Sequence, residues 1–169
     1  MTEYQVHPSD ALRLAEKRAS YFVRPKQPKD MGKIVTTMTV ANNTDDDLAE
    51  RGELPIERVR RIVLESVVAD TGATLTCLPS DVIEKLGLRL EREVLVTTAT
   101  GVSKARIFSG ARITVLDRTV TQDCLELPGG TDPLLGALPM EALGVQLDLQ
   151  KQSLRLLPMD GVDTFLTIY

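Results

Sequence analysis

The pattern of apolar and polar positions changes period near residue 33. Before it, in "SDALRLAEKRASYFV" (residues 9–23), Ala11, Leu12, Ala15, Ala19 and Phe22 recur at helical spacing. That spacing predicts an amphipathic helix, with Ser9 or Asp10 as its cap. "RPKQPKD" follows and reads as a Pro-rich linker. From Lys33 onward β-branched residues take over. "KIVTTMTVAN" predicts a strand, and the polar "NNTDDDLAERGELP" reads as a loop. "IERVRRIVLESVVAD" predicts one long strand, or a bent pair of strands, ending at Asp70. "PSDVIEKLG" predicts a short helix with Ser80 near its start and Gly87 as its stop.

Hairpins fill the rest. In "REVLVTTATGVSKARIF" two β-rich arms flank a turn read at Thr100-Gly101, and "ARITVLDRTVTQDCLEL" predicts a second hairpin. "PGGTDP" is a loop. "LLGALPMEALG" predicts a short apolar strand running into a short helix that Gly144 ends, and "VQLDLQKQSLRLLP" a last hairpin. The expected class is therefore all-β, with short helices and an N-terminal helical extension. The expected division is 1–30 for the helix and linker, 31–158 for the main β domain, and 159–169 for an apolar, β-prone tail.

Composition narrows the chemistry. A chain of 169 residues can bury an ordinary core without staples. The net charge of −4 is mild and no basic stripe is present, so neither nucleic acid nor an anionic membrane is an expected partner. The apolar stretches fall far short of a membrane span. The start of the chain lacks a basic segment followed by an apolar run, so a cytoplasmic location is expected. Cys77 and Cys124 lie far apart without CxxC spacing and are expected to be buried free thiols. The single histidine, His7, argues against Ser-His-Asp and Cys-His catalysis and against a zinc site. No Gly-rich nucleotide motif occurs, and no cofactor or metal is expected. Asp45, Asp46 and Asp47 form an acidic run without the alternating oxygen ligands of a calcium loop, so they are expected to be solvated.

Two stretches look related. One runs Asp70-Thr71-Gly72-Ala73, then Leu78-Pro79, a helix, and Leu86-Gly87; the other runs Leu134-Leu135-Gly136-Ala137, then Leu138-Pro139, a helix, and Leu143-Gly144. This weak repeat suggests two similar halves about an approximate two-fold. Leucines replace Asp-Thr in the second copy. Asp70 itself ends an apolar strand, where an ionised carboxylate is costly unless paired. Taken alone, Asp-Thr-Gly is also good turn chemistry.

Its context is more specific. An apolar strand precedes it, Ala-Thr and an apolar segment follow, then come a Gly-tipped hairpin and a Leu-Leu-Gly element leading into a helix. Over roughly residues 33–158 the chain resembles the retropepsin-like (retroviral-type) aspartic proteases, including their bacterial single-domain relatives. The resemblance implies that residues 31–158 form a retropepsin-like acid protease β-barrel half with short helices, and that the chain is an aspartic endopeptidase. Asp70 would be the catalytic acid, and Thr71, Gly72, Ala73 and Thr74 its active-site loop. Thr98, Ala99, Thr100 and Gly101 would form a substrate-binding flap. Leu134, Leu135 and Gly136 would be the supporting loop. A single Asp-Thr-Gly cannot supply two acids, so a homodimer is implied, with Asp70 facing its copy across a two-fold axis. The substrate would be an extended peptide or protein segment adding backbone bonds like a strand.

The sequence departs from the viral pattern in places. Thr74 stands where viral members often carry an acid, so viral cleavage preferences should not transfer. The flap arm "TTATG" has few glycines. "TFLTIY" is a candidate for the dimer sheet or for a neighbouring active site. A second reading is a non-catalytic β-barrel module that dimerises or binds peptides through the same groove. A third is a protease restricted to its own processing, for instance between Arg24 and Asp30, or to one partner.

Overall fold

The computed structural model describes residues 32–98 and 101–158, with only the backbone of Thr98. The expected helix over 9–23, the linker, the tail over 159–169, and the residues Ala99 and Thr100 lie outside the described residues. In chain order the elements are β1 (Val35–Asn42), α1 (Asn43–Glu50), a 3-10 turn (Ile56–Arg58), β2 (Arg61–Ala69), β3 (Thr76–Pro79), α2 (Ser80–Leu86), β4 (Arg89–Thr98), β5 (Gly101–Val115), β6 (Arg118–Leu127), β7 (Leu134–Leu135), α3 (Ala137–Leu143), β8 (Val145–Asp148) and β9 (Ser153–Leu156). The chain is mostly strand with a few short helices, as the pattern predicts.

The strands hydrogen-bond in the order β1-β2-β7-β3-β6-β5-β4, and β1 also pairs with β5. That extra pairing, Thr39 opposite Thr114 through Asn42 opposite Ala111, closes the ring from β1 to β5 into a barrel. β4 hangs from β5 outside the ring. β8 and β9 form a separate hairpin. In the hydrophobic core Met38, Leu64, Leu78, Leu86, Ile113, Leu135 and Leu143 are almost wholly shielded from solvent. Each such side chain contributes about 1.5–3 kcal/mol by leaving water. Cys77 and Cys124 are both buried and free.

The polar segment after β1 is a helix, not a loop, and two of its acids, Asp45 and Asp46, are buried, while the Asp47 side chain keeps 40% of its exposure. Asn42 caps α1 by accepting from the Asp45 backbone N–H at 3.2 Å. Asp45 and Asp46 are each only 7% exposed. The Asp45 carboxylate accepts from Arg60 Nε at 2.6 Å, Nη2 at 2.7 Å and the Arg60 backbone N–H at 3.0 Å. Asp46 accepts from Arg61 at 2.8 Å and lies 3.6 Å from Arg112. The bonds from Arg60 hold the Asp45 carboxyl below its ordinary 3.8, against the opposing effect of burial. Partners fifteen residues away in the chain turn a run of acids into the inner face of a short helix.

The repeat is visible in how the helices end. α2 and α3 both close on a left-handed glycine, Gly87 at φ 58° and Gly144 at φ 60°. A distant side chain then satisfies each set of final carbonyls. Asn42 Nδ2 donates to Leu86 O at 3.0 Å and Gly87 O at 3.1 Å. Arg118 Nη1 donates to Leu143 O at 3.0 Å and Gly144 O at 2.7 Å. The copies differ at Leu-Pro. Leu78-Pro79 ends β3, whereas Leu138-Pro139 lies in the first turn of α3. Proline is tolerated there because a first-turn N–H has no partner inside the helix.

Candidate active site

β7 lies between β2 and β3, parallel to the first and antiparallel to the second. The chain from β2 to β3 must therefore pass around the end of β7, and Asp70 begins that passage. Val68 pairs with Leu134 and Ala69 with Leu135. The Asp70 N–H then donates to Leu135 O at 3.0 Å. Further round the loop, Ala73 O accepts from the Ala137 N–H at 2.8 Å and Thr74 O from the Leu138 N–H at 3.1 Å. The loop is thus bonded on both sides to the segment from Leu135 to Leu138.

Gly136 sits at the tightest point. Its φ of −82° and ψ of −179° are open to any residue, so conformation does not demand glycine. Space does. A Cβ there would lie 2.6 Å from Ala73 O and closer still to Leu75 O. The two loops can approach this closely only because no side chain stands between them.

The Asp70 side chain is half-buried at the mouth of this loop. Its Oδ1 accepts from the Gly72 N–H at 2.8 Å, and the Ala73 N–H donates to Asp70 O at 3.2 Å. The first bond fixes the carboxylate's orientation. Thr71, Gly72 and Thr74 are exposed, and Ala73 is half-buried. Leu134 is half-buried and Leu135 fully buried behind the loop. Beneath it, Thr76 is fully buried and its hydroxyl has no partner. The Cys77 thiol is pushed up to about 11, first by burial and then by the negative charge of Asp70. It is a neutral neighbour, not a nucleophile.

The β4–β5 hairpin projects from the barrel. β6 pairs with β5 only as far as the Ile107–Leu125 position, while β4 and β5 stay paired out to Thr98 opposite Gly101. Thr98 with Gly101 is the outermost described pair, and Thr100 of the turn read at Thr100-Gly101 lies outside the described residues. Gly101 opens β5 at φ 126°, beyond the reach of most side chains. Two apolar side chains stand out on the arm, Leu95 at 72% and Val102 at 68% exposed.

The structure thus joins Asp70, its loop and Leu134–Gly136 by direct bonds. It links the arm to them through β5, β6 and β3. The charged pairs at the foot of the arm, Arg106 with Glu126 and Arg92 with Asp123, were not anticipated from sequence. Among the described residues, no group of three or more His, Cys, Asp or Glu gathers as a metal site. No helix among them is long and apolar enough to cross a membrane.

Residues 63–138 match the family model described as aspartyl protease. That family is of the retropepsin-like type, the type the sequence resembles. The matched residues run from β2 through the Asp70 loop and the β4–β5 arm into the first turn of α3, so they hold the whole site described above. No curated protein matches the chain.

Proposed function

We propose that the chain is one half of an aspartic endopeptidase, completed by a second copy of itself. The observation that carries this reading is the Asp70 loop. It presents one oriented, half-buried carboxylate at a strand end, locked by backbone bonds to Leu135, Ala137 and Leu138. It does so inside the segment that matches the aspartyl protease family. One carboxylate is half of what water activation needs.

In the dimer the two Asp70 carboxyls share a proton, because like charges about 3 Å apart cannot both ionise. The ionised one takes a proton from the attacking water. The protonated one polarises the scissile carbonyl. Thr71 bonds across the two-fold, Gly72 admits the substrate backbone, and Thr74 supplies a hydroxyl in place of a charge. The β4–β5 arm is the flap: it carries Thr98, Ala99, Thr100 and Gly101 over an extended peptide and excludes water. Two free buried thiols suit a reducing compartment, the cytosol.

Peptide-library cleavage between about pH 3 and 8, with wild type and Asp70→Asn side by side, tests the reading. Cleavage by wild type that disappears in the variant is the expected result. Equal cleavage by both would remove Asp70 from the chemistry. Cleavage by neither would favour a peptide-binding module.

A further inference from the structure

We propose that Arg106 and Glu126 are the positioning residues of the β4–β5 arm: a latch at its foot that sets the arm's angle and so governs substrate affinity without touching substrate. The proposal rests on reading the arm as the flap of the Asp70 site.

The latch sits where support ends. Ile107 opposite Leu125 is the last position at which β5 has β6 as a neighbour. Beyond it the arm is a two-stranded ribbon, and such a ribbon is weakly held on its own. One position further out, Arg106 faces Glu126. Arg106 Nε meets Glu126 Oε2 at 2.6 Å, and Nη2 meets Oε1 at 2.5 Å. This is a fork on a fork, which fixes direction as well as distance.

Both ends are anchored. The Arg106 guanidinium lies 5.6 Å from the ring centroid of Phe108, a member of the core. The Glu126 side chain is largely shielded, and its strand position is paired with Leu78 on β3, the strand that leaves the Asp70 loop. The ladder therefore runs from the arm through Arg106 and Glu126 to β3.

The same row holds a second acid. Glu93 on β4 is the register partner of Arg106, so the guanidinium stands between an acid of the barrel and an acid of the arm. When the arm lifts, Glu93 travels with Arg106 and takes over the charge. The opposite face offers a comparison. There Arg92, paired in register with Ile107, reaches Asp123 by a single contact of 3.5 Å, with both side chains well exposed. One long, solvated contact fixes no angle.

The test uses the full-length protein in two readouts. The first is amide hydrogen exchange over residues 93–98 and 101–106 without substrate. The second is steady-state kinetics on a peptide that wild type cleaves. Glu126→Gln should speed arm exchange roughly threefold to tenfold, with exchange in the barrel strands unchanged. It should raise KM by a similar factor and leave kcat within about twofold. Arg106→Lys, which keeps the charge and loses the fork, should do the same. The exchanged pair Arg106→Glu with Glu126→Arg should return both readouts to within about twofold of wild type. Asp123→Asn should change neither readout by more than about twofold.

Wild-type arm exchange in both Glu126→Gln and Arg106→Lys would overturn the latch. Faster exchange with an unchanged KM would overturn its link to the site. Because exchange needs no turnover, a failure of the protease reading in the Asp70→Asn comparison would leave that readout standing. The two failures are therefore distinguishable.

Discussion

Gly136→Ala isolates the close approach that holds the Asp70 loop in place. The backbone at Gly136 is ordinary extended chain, so alanine brings no conformational strain. It brings one methyl group into occupied space. The added carbon meets Ala73 O at 2.6 Å and Leu75 O closer still. Both are backbone atoms and cannot rotate aside. Relief requires the loops to part by roughly 1 Å, well beyond the contact minimum for such atoms. Parting weakens the bonds from Ala137 to Ala73 and from Leu138 to Thr74, now 2.8 and 3.1 Å. Two bonds at about 1 kcal/mol each, with overpacking strain of about 1–3 kcal/mol, put the loss at about 3–5 kcal/mol. Urea denaturation followed by circular dichroism measures it as a lower midpoint at constant slope. Gly129→Ala is the control. Its nearest neighbour is the Ser80 hydroxyl at 3.2 Å, which can rotate away, so its loss should stay under about 0.5 kcal/mol. Equal midpoints for Gly136→Ala and wild type would refute the argument that space, not conformation, requires this glycine.

Asn42→Ala removes the cap of α1 and both donors to the end of α2. Its expected loss of stability is about 2–4 kcal/mol by urea denaturation, and a loss near zero would show that water replaces all three bonds. Asp45 has a folded pKa below its ordinary 3.8, so its contribution is complete above that value and disappears as pH falls through the lower folded pKa. Asp45→Asn should therefore be less stable than wild type at neutral pH and should converge on it in acid. Parallel stability curves between about pH 2 and 7 would contradict this. Burial pushes the Cys77 thiol up to about 11 and Cys124 to about 12. Neither should react with a thiol reagent near pH 8 in the folded protein, and both should react in urea. Rapid labelling of the native chain would show that one of them is accessible.

Much of the fold was legible because local chemistry repeats the global answer. Alternating apolar residues marked β1, β2 and the hairpins. Gly87 and Gly144 marked helix ends, and both take the left-handed conformation their positions require. Asp70 stood out as a carboxylate ending an apolar strand, and Leu134-Leu135-Gly136 as an apolar pair before a glycine. The helix α1 was missed although a signal existed: Asn42 as cap, then acids in the first turn. The absence of an apolar stripe outweighed it. Burial of Asp45 and Asp46 was not legible, because their partners Arg60, Arg61 and Arg112 arrive only when the barrel closes. The β1–β5 closure has no local signal at all. The Arg106–Glu126 pair depends on register beyond an irregularity between Phe108 and Ala111, which no pattern in the chain announces.

The central claim is that two Asp70 carboxylates, one from each chain, do the chemistry. Co-refolding wild type with Asp70→Asn at a series of ratios tests it most directly, with peptide cleavage measured at constant total protein. If both carboxylates are required, activity follows the square of the wild-type fraction, and an equal mixture keeps about a quarter of full activity. A straight line, with about half the activity at equal mixture, would mean that each chain works with its own acid, and the shared pair would be wrong.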